Sequence, residues 1–361
     1  MGLICIYSHL VAPWLLCHTR NTSEKPVSVQ PLRRDQIAAT WRDDEIGAGL
    51  LGSVMKFITK TLLAAAFLVS GFALTAVAGP LEDADAAFER GDHEVALQSY
   101  RLLADQGEAI AQIRLGGIYA DGRGVTRDYS EAVKWFRRAA HQGNARAQFN
   151  IGTMYEHGQG VPQDYAEAVK WHHLAADQGH AGAQFNLGVM HTEGRGVARD
   201  DAEAMKWFLL AGRQGHPAAQ FNLALHYAKG QGVPKNEAEA ASWARLAANQ
   251  GHVLAQYNLG IMYANGSGVA KSDAEAVNWY RLAAEQGYAL AQSSLGLRFA
   301  TGDGVPRNMV QALMWLNLAA ERGDAKSIND RDLLAARMTS AQIAEAGKRT
   351  REWQRTTGAP R

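Results

Sequence analysis

Three histidines, His180, His216 and His252, stand 36 residues apart, and His172 and His173 are adjacent. Imidazoles in register could hold a metal or relay protons. Helices packed side by side put equivalent atoms roughly 10 Å apart, whereas one metal needs all its ligands within about 2 Å. Adjacent helical residues send their rings to different faces. The His180 position is also held by Asn144, Tyr288 and Asp324, which reads as a capping or surface position. No His-Glu-x-x-His pattern occurs. The only two cysteines, Cys5 and Cys17, lie at the N-terminus, so thiolate metal sites, disulfide frameworks and cysteine nucleophiles are excluded from the rest of the chain. Ser53-Val54-Met55-Lys56 matches the first element of a serine acyl-transfer site, but Ser272-Asp273 is followed by alanine and no Lys-Thr-Gly is present. Paired glycines such as Gly158 and Gly160 follow a helical pattern and lack a Gly-Lys-Ser/Thr ending, so they read as turns instead of a phosphate loop. No catalytic residue, cofactor or metal is expected.

The elements that would carry any site repeat. Trp135, Trp171, Trp207, Trp243, Trp279 and Trp315 are each 36 residues apart. Glycine pairs from Gly122/Gly124 to Gly302/Gly304 keep the same step, each followed by a valine. An Ala-Gln dipeptide recurs at Gln112, Gln148, Gln184, Gln220, Gln256 and Gln292. Periods of this length mean stacked supersecondary units. Each unit reads as two helices. Helix A spans about Ala145 to His157, with Ala147, Ile151 and Tyr155 on one stripe and Gly158 as a left-handed C-terminal cap. Helix B opens at Asp164 with Glu167 three residues on, a capping box, and buries Ala168, Trp171 and Ala175. The box recurs as Asp128/Glu131, Asp200/Glu203, Asn236/Glu239, Ser272/Glu275 and Asn308/Gln311. One such pair cannot bury its own apolar face, but stacked neighbours can. Each tryptophan that becomes buried contributes on the order of 2–3 kcal/mol. The fold expected is all-α, a solenoid of antiparallel helix pairs.

The ends differ from the repeats. Residues 79–108 form an atypical first unit, residues 109–324 the six repeats, and residues 325–361 a cap. Helices are expected from Leu81 to Arg90, around Ala96 to Tyr100, from Ala325 to Arg337, and from the Thr339 cap through Trp353, with a fraying tail from Thr356. Upstream, Lys56 and Lys60 precede an apolar run from Leu62 to Val77 that closes on Ala76-Val77-Ala78. A basic stretch, an apolar core and a small-residue cleavage site make residues 55–78 a secretory signal peptide. Residues 1–54 then precede the true start at Met55; if they are translated, the segment is instead an uncleaved anchor. Either way the repeats are exported, periplasmic or secreted. Cleavage leaves no stable membrane insertion.

Charge narrows the partners. The chain has 37 basic and 36 acidic side chains, none in long runs, and 47% hydrophobic residues. Seven basic and five acidic residues fall in residues 1–78, leaving 30 and 31 beyond. A nucleic-acid role needs a basic surface and is not expected.

Ala147 to Tyr155 (Ala-Gln-Phe-Asn-Ile-Gly-x-x-Tyr), Gly158 to Val161 (Gly-x-Gly-Val) and Ala168 to Ala176 (Ala-x-x-Trp-x-x-x-Ala-Ala) resemble the Sel1-like repeat family, relatives of tetratricopeptide repeats. The resemblance covers residues 84–337. It implies a right-handed superhelix serving as a protein-interaction scaffold, with helix A on the concave face. Exported bacterial members include periplasmic regulators of signalling, envelope-assembly factors and host-binding proteins. An enzyme acting on β-lactams or peptidoglycan is the alternative, proposed for cysteine-rich relatives; the repeats here contain no cysteine.

On helix A the residue two after the motif alanine is Phe149, Phe185, Phe221 or Tyr257, with Ile113 and Ser293 at the ends. Two places past each motif Ile or Leu come Thr153, Val189, Leu225 and Ile261. Together they could form an aromatic–aliphatic strip for an extended peptide or helix of a protein partner, or the aromatics could pack between repeats. Asn150, Asn186, Asn222 and Asn258 run alongside, available to a partner's backbone or to bonds within the repeat. The protein is expected to act as a monomer. N-terminal sequencing of the exported protein is expected to begin at Gly79; a start within residues 1–54 would break the processing expectation.

Overall fold

The computed structural model describes residues 79–321 and 325–357, which form sixteen α-helices. The expected leader, residues 1–78, the Arg322-Gly323 helix end and residues 358–361 lie outside the described residues. The first unit is α1 (Pro80–Glu89) and α2 (His93–Asp105). The six A helices are α3 (Ala109–Asp121), α5 (Ala145–His157), α7 (Ala181–Glu193), α9 (Pro217–Lys229), α11 (Val253–Asn265) and α13 (Ala289–Thr301). The B helices between and after them are α4 (Tyr129–His141), α6 (Tyr165–Asp177), α8 (Asp201–Arg213), α10 (Glu237–Asn249), α12 (Asp273–Glu285) and α14 (Met309–Ala320). α15 (Ala325–Ala335) and α16 (Ser340–Thr357) close the chain. From α1 to α15 each helix packs on its chain neighbours, the contact pattern of a solenoid. The last helix runs to Thr357, past the expected fraying point at Thr356.

Local chemistry sets the helix ends. Gly158 takes φ 66°, and its five equivalents are also left-handed, ending each A helix. The second glycine serves packing as well. Gly160 has φ 71°, and a Cβ there would strike the Tyr129 carbonyl at the start of the preceding B helix. Each B helix begins with the expected cap: Asp164 Oδ1 accepts from the Glu167 amide at 3.0 Å, and the other five caps also accept from the third residue. The reciprocal half of the box is not made. The Asp164 amide donates instead to the Tyr155 carbonyl of helix A at 2.9 Å. Glu131, Glu167 and Glu203 are left free to pair with Lys134, Lys170 and Lys206. Joining the two helices through the backbone takes the donor that a capping glutamate would have used.

The core is built from small residues in contact and one aliphatic per A helix. Ala147, Ala168, Ala175 and Ile151 are fully buried, as are Leu187, Leu223, Leu259 and Leu295. Within a pair, glycine on helix A faces bulk on helix B: Gly116 meets Phe136, Gly152 meets His172, Gly188 meets Phe208, Gly260 meets Tyr280 and Gly296 meets Leu316. The fourth repeat puts Ala224 and Ala244 at these positions, both buried. Trp135 and Trp315 are buried, while Trp171, Trp207, Trp243 and Trp279 are half-buried. Their full expected contribution therefore applies only at the two ends.

Buried glutamines tie the pairs together. The Nε2 of Gln112, Gln148, Gln184, Gln220, Gln256 and Gln292 donates to a carbonyl near the end of the preceding B helix at 2.9–3.3 Å. Each of those carbonyls also accepts from the amide of the glycine three residues on, as Ala176 does from Gly179 at 2.9 Å, so the glutamine adds a second bond from the neighbouring helix. The Oε1 of the first five accepts from Gln142, Gln178, Gln214, Gln250 or Gln286, thirty residues on, at 2.7–2.9 Å. Gln292 Oε1 has no partner. At the far end, α16 packs on α14: Trp353 meets Trp315 at 5.9 Å, and Asn317 donates to Thr350 at 3.3 Å. Met314 and Leu318 are buried there, whereas their equivalents Lys170 and Leu174 are exposed.

Substituting Gln184→Leu removes the bonds to the Ala176 carbonyl and from the Gln214 amide, while the carbonyl keeps the Gly179 amide and Gln214 still reaches the Leu210 carbonyl. It is expected to destabilise by about 1–2 kcal/mol in chemical denaturation. Gln292→Leu, which breaks one bond fewer, is expected to cost visibly less.

Candidate functional site

On an α-helix, offsets of three, four and seven residues share one face. In each A helix the face carrying the predicted aromatic, asparagine and aliphatic positions also carries the residue three before the aromatic. All twelve predicted residues are half-buried: Phe149, Asn150, Thr153, Phe185, Asn186, Val189, Phe221, Asn222, Leu225, Tyr257, Asn258 and Ile261. They lie on successive A helices and form rows.

The aromatics touch the next repeat. Phe149 stacks on His180 with centroids 4.5 Å apart and Phe185 on His216 at 4.8 Å, while Phe221 meets His252 tilted by 30° at 4.8 Å. Tyr257 meets Tyr288 edge-on at 5.1 Å. The three histidines cap the A helices they precede. Their Nδ1 atoms accept from the amides of Ala183, Ala219 and Ala255 at 3.2, 3.3 and 3.2 Å. Asn144 does the same for Ala147. The aromatic rows thus pack between repeats on one side while remaining half-exposed on the other.

The asparagines divide. Asn186 Nδ2 lies 3.3 Å from His172 Nε2, and Asn222 donates to the Ala218 carbonyl of its own helix at 2.9 Å. Asn150 and Asn258 make no hydrogen bond with their side chains among the described residues. Thr153 donates to the Phe149 carbonyl. Sequence reasoning overlooked the flanking positions Arg146, Leu254 and Leu290. Leu254 and Leu290 are 41% and 43% exposed, and Arg146 is exposed. The same-face offset was the signal that could have found them.

One polar cluster interrupts the pattern. His172 is fully buried where other repeats hold Phe, Tyr, Leu or Ala, and its Nε2 lies 3.6 Å from Glu156 Oε2. Arg195 Nη1 approaches Glu156 Oε1 at 3.3 Å. The His172 contact foremost, with Arg195, holds the Glu156 carboxyl below the ordinary carboxylate range. Other repeats put alanine or threonine at the Glu156 position, so acid and imidazole occur together in one repeat. Among the described residues no group of three or more His, Cys, Asp or Glu could hold a metal ion, and no helix is long and apolar enough to cross a membrane.

A family model described as Sel1 repeat matches residues 109–144, 145–180, 181–216, 217–252, 253–288 and 289–324. Among solved structures, the chain is similar to a protective antigen present in uropathogenic Escherichia coli strains that displays an SLR fold. The identity is 38% and the TM-score 0.66, covering 73% of this chain and 56% of that one. The chain thus spans little more than half of that relative's length. It is also similar to a Sel1 repeat protein from Oxalobacter formigenes, at 31% identity and TM-score 0.60, covering 67% of this chain and 97% of that one. No curated protein matches.

Burial pushes the imidazoles of His180, His216 and His252 below the usual histidine range. Their Nδ1 atoms must be unprotonated to accept the cap bonds. Unfolded histidine titrates near 6.5, so this stability is fully present above about pH 6.5. It is lost as pH falls through the lower folded values. Thermal melting is therefore expected to drop as pH falls below about 6.5. The His180→Asn/His216→Asn/His252→Asn variant, which copies Asn144, should lose most of that slope; an unchanged slope would place the titration elsewhere.

Proposed function

The chain belongs to the Sel1 repeat family, and on that premise we propose that it is an exported, monomeric scaffold whose A-helix face binds a segment of another protein. Sel1 repeats mediate protein–protein binding. The partner we favour is a periplasmic sensor or an envelope component, giving a regulatory or assembly role. The observation that carries the reading is the A-helix face itself. It presents two leucines more than 40% exposed, Leu254 and Leu290, beside half-buried aromatics and the unengaged amides of Asn150 and Asn258. Apolar surface rimmed by polar groups in register suits a partner backbone with alternating side chains.

Export rests on residues 55–78, whose basic, apolar and small-residue parts match a secretory leader. Helix B exposes leucines of its own, Leu174, Leu210, Leu246 and Leu282, at the same position of four successive repeats. They stand among charged neighbours such as Lys170, Asp177 and Lys206, and that charge is why we place the partner on helix A.

The test is proximity labelling in the native cell with the full chain and with Leu254→Asp/Leu290→Asp. Both sites are exposed, so circular dichroism and melting should be unchanged. Proteins labelled by the wild type are expected to fall at least tenfold with the variant, because a buried, unpaired carboxylate costs several kcal/mol at an interface. An identical labelled set would remove the A-helix face as the binding surface.

A further inference from the structure

The A-helix face is not uniform along the solenoid. Three residues before each aromatic position stand Ile110, Arg146, Gly182, Ala218, Leu254 and Leu290. Four residues after it stand Gly117, Thr153, Val189, Leu225, Ile261 and Leu297. From the second repeat onward the first row changes from a cation through small residues to leucine. The second row grows from no side chain to large aliphatics. The fifth and sixth repeats carry no charge at these offsets, nor at the asparagine position, where Asn258 and Ser294 stand.

The polar end holds a pocket. A cavity of about 270 Å³ opens between α1, α2, α3 and α5, lined by the arginines 114, 123 and 146, the carboxylates of Asp85, Glu89 and Asp121, and uncharged groups that include Phe88, Tyr100 and Gly117. Gly117 opens it, since a Cβ there would meet nothing within 4 Å. Two of the three cations are engaged. Arg114 pairs with Asp85 Oδ2 at 3.0 Å, and the other oxygen of Asp85 accepts from Tyr100 Oη at 2.6 Å. Arg123 pairs with Asp121 at 3.0 Å and lies over the Phe88 ring at 5.1 Å. Arg146 has no hydrogen bond or ion pair among the described residues. Glu89 also lines the pocket without an ion pair, but it stands on α1, outside the rows.

We propose that the A-helix face takes an extended partner segment in one direction only, its carboxylate-bearing end at Arg146 beside the Gly117 pocket and its apolar end over Leu254, Ile261, Leu290 and Leu297. The inference rests on the binding face proposed above and adds the partner's chemistry and polarity. A carboxylate at Arg146 gains a charge-assisted hydrogen bond from a guanidinium that lacks one. The reversed arrangement would bury that carboxylate against leucine with no donor, which is how a binding surface rejects the wrong register. The free amides of Asn150 and Asn258 flank the path and can bond an extended backbone. Five steps between six repeats at roughly 10 Å each span about 50 Å. That is about 15 residues of extended chain.

The experiment uses the full chain and a capped 15-residue peptide with aspartates at one end and alternating leucine and serine toward the other. A benzophenone side chain is placed at either end. Acid-end cross-links are expected within residues 110–123 and at Arg146, and apolar-end cross-links within residues 290–301. In fluorescence anisotropy Arg146→Glu should weaken binding at least tenfold, while Glu89→Gln, which removes a like charge from the pocket, does not weaken it. Exchanged or evenly distributed cross-links overturn the proposal, as does a loss with Glu89→Gln instead of Arg146→Glu, or no binding by the peptide. If cross-links are even but Leu290→Asp still abolishes binding, the direction fails and the binding face survives.

Discussion

The last carbonyls of a helix lose their intrahelical donors. Here the glycine three residues on supplies one bond to such a carbonyl at every joint and leaves its second lone pair to be met from the neighbouring helix. The buried glutamine of each A helix meets it by donating to the end of the preceding B helix. Its oxygen then accepts from the glutamine that follows the next B helix. One side chain therefore spans two helices and sets their spacing and rotation. Because both groups lie away from water, a slipped register would strand several polar atoms at once. The alanines around it follow from this, since a glutamine reaches a neighbouring carbonyl only when the helices approach closely.

Close approach then governs the rest of the packing. Glycine on helix A opposite bulk on helix B lets the pair stay tight with Phe136, His172, Phe208, Tyr280 or Leu316 in the slot. The slot accepts different chemistry, so one repeat could acquire His172 together with Glu156 and Arg195 without disturbing its neighbours. The turn glycines act alike: their left-handed backbone ends one helix, and their missing Cβ admits the carbonyl of the previous repeat. Stability is distributed along the chain, with extra apolar burial at the end where α16 covers Met314 and Leu318.

With the inter-helix sides occupied, one face of each A helix stays partly open. There the aromatics are shared between structure and surface, one side stacked on a capping histidine and the other still half-open. The flanking rows share that duty only in part: Val189 and Ile261 also pack on the core and Gly182 leaves room for Phe149, while Arg146, Leu254 and Leu290 stay exposed. The change from Arg146 to Leu290 at those exposed positions is what can encode the polarity of a partner.

The bounds of α5 and the B-helix caps at Asp128, Asp164 and Asp200 were legible from residue order, because capping and helical periodicity act within a few residues. The 36-residue register likewise announced a solenoid of helix pairs. Packing of the aromatics between repeats was one of two readings open in the sequence, but the partner of Phe149 was not legible, because His180 is thirty-one residues away and reaches it only after the repeats stack. The same holds for Gln148 and Gln178, thirty apart, and for the capping-box donor that went to the Tyr155 carbonyl instead of Glu167. Sequence alone determined what each repeat is, since those forces are local. Only the tertiary structure decided which side chains the stack consumes and which, such as Arg146 and Leu290, it leaves exposed, because that depends on how far and at what angle one repeat sits from the next.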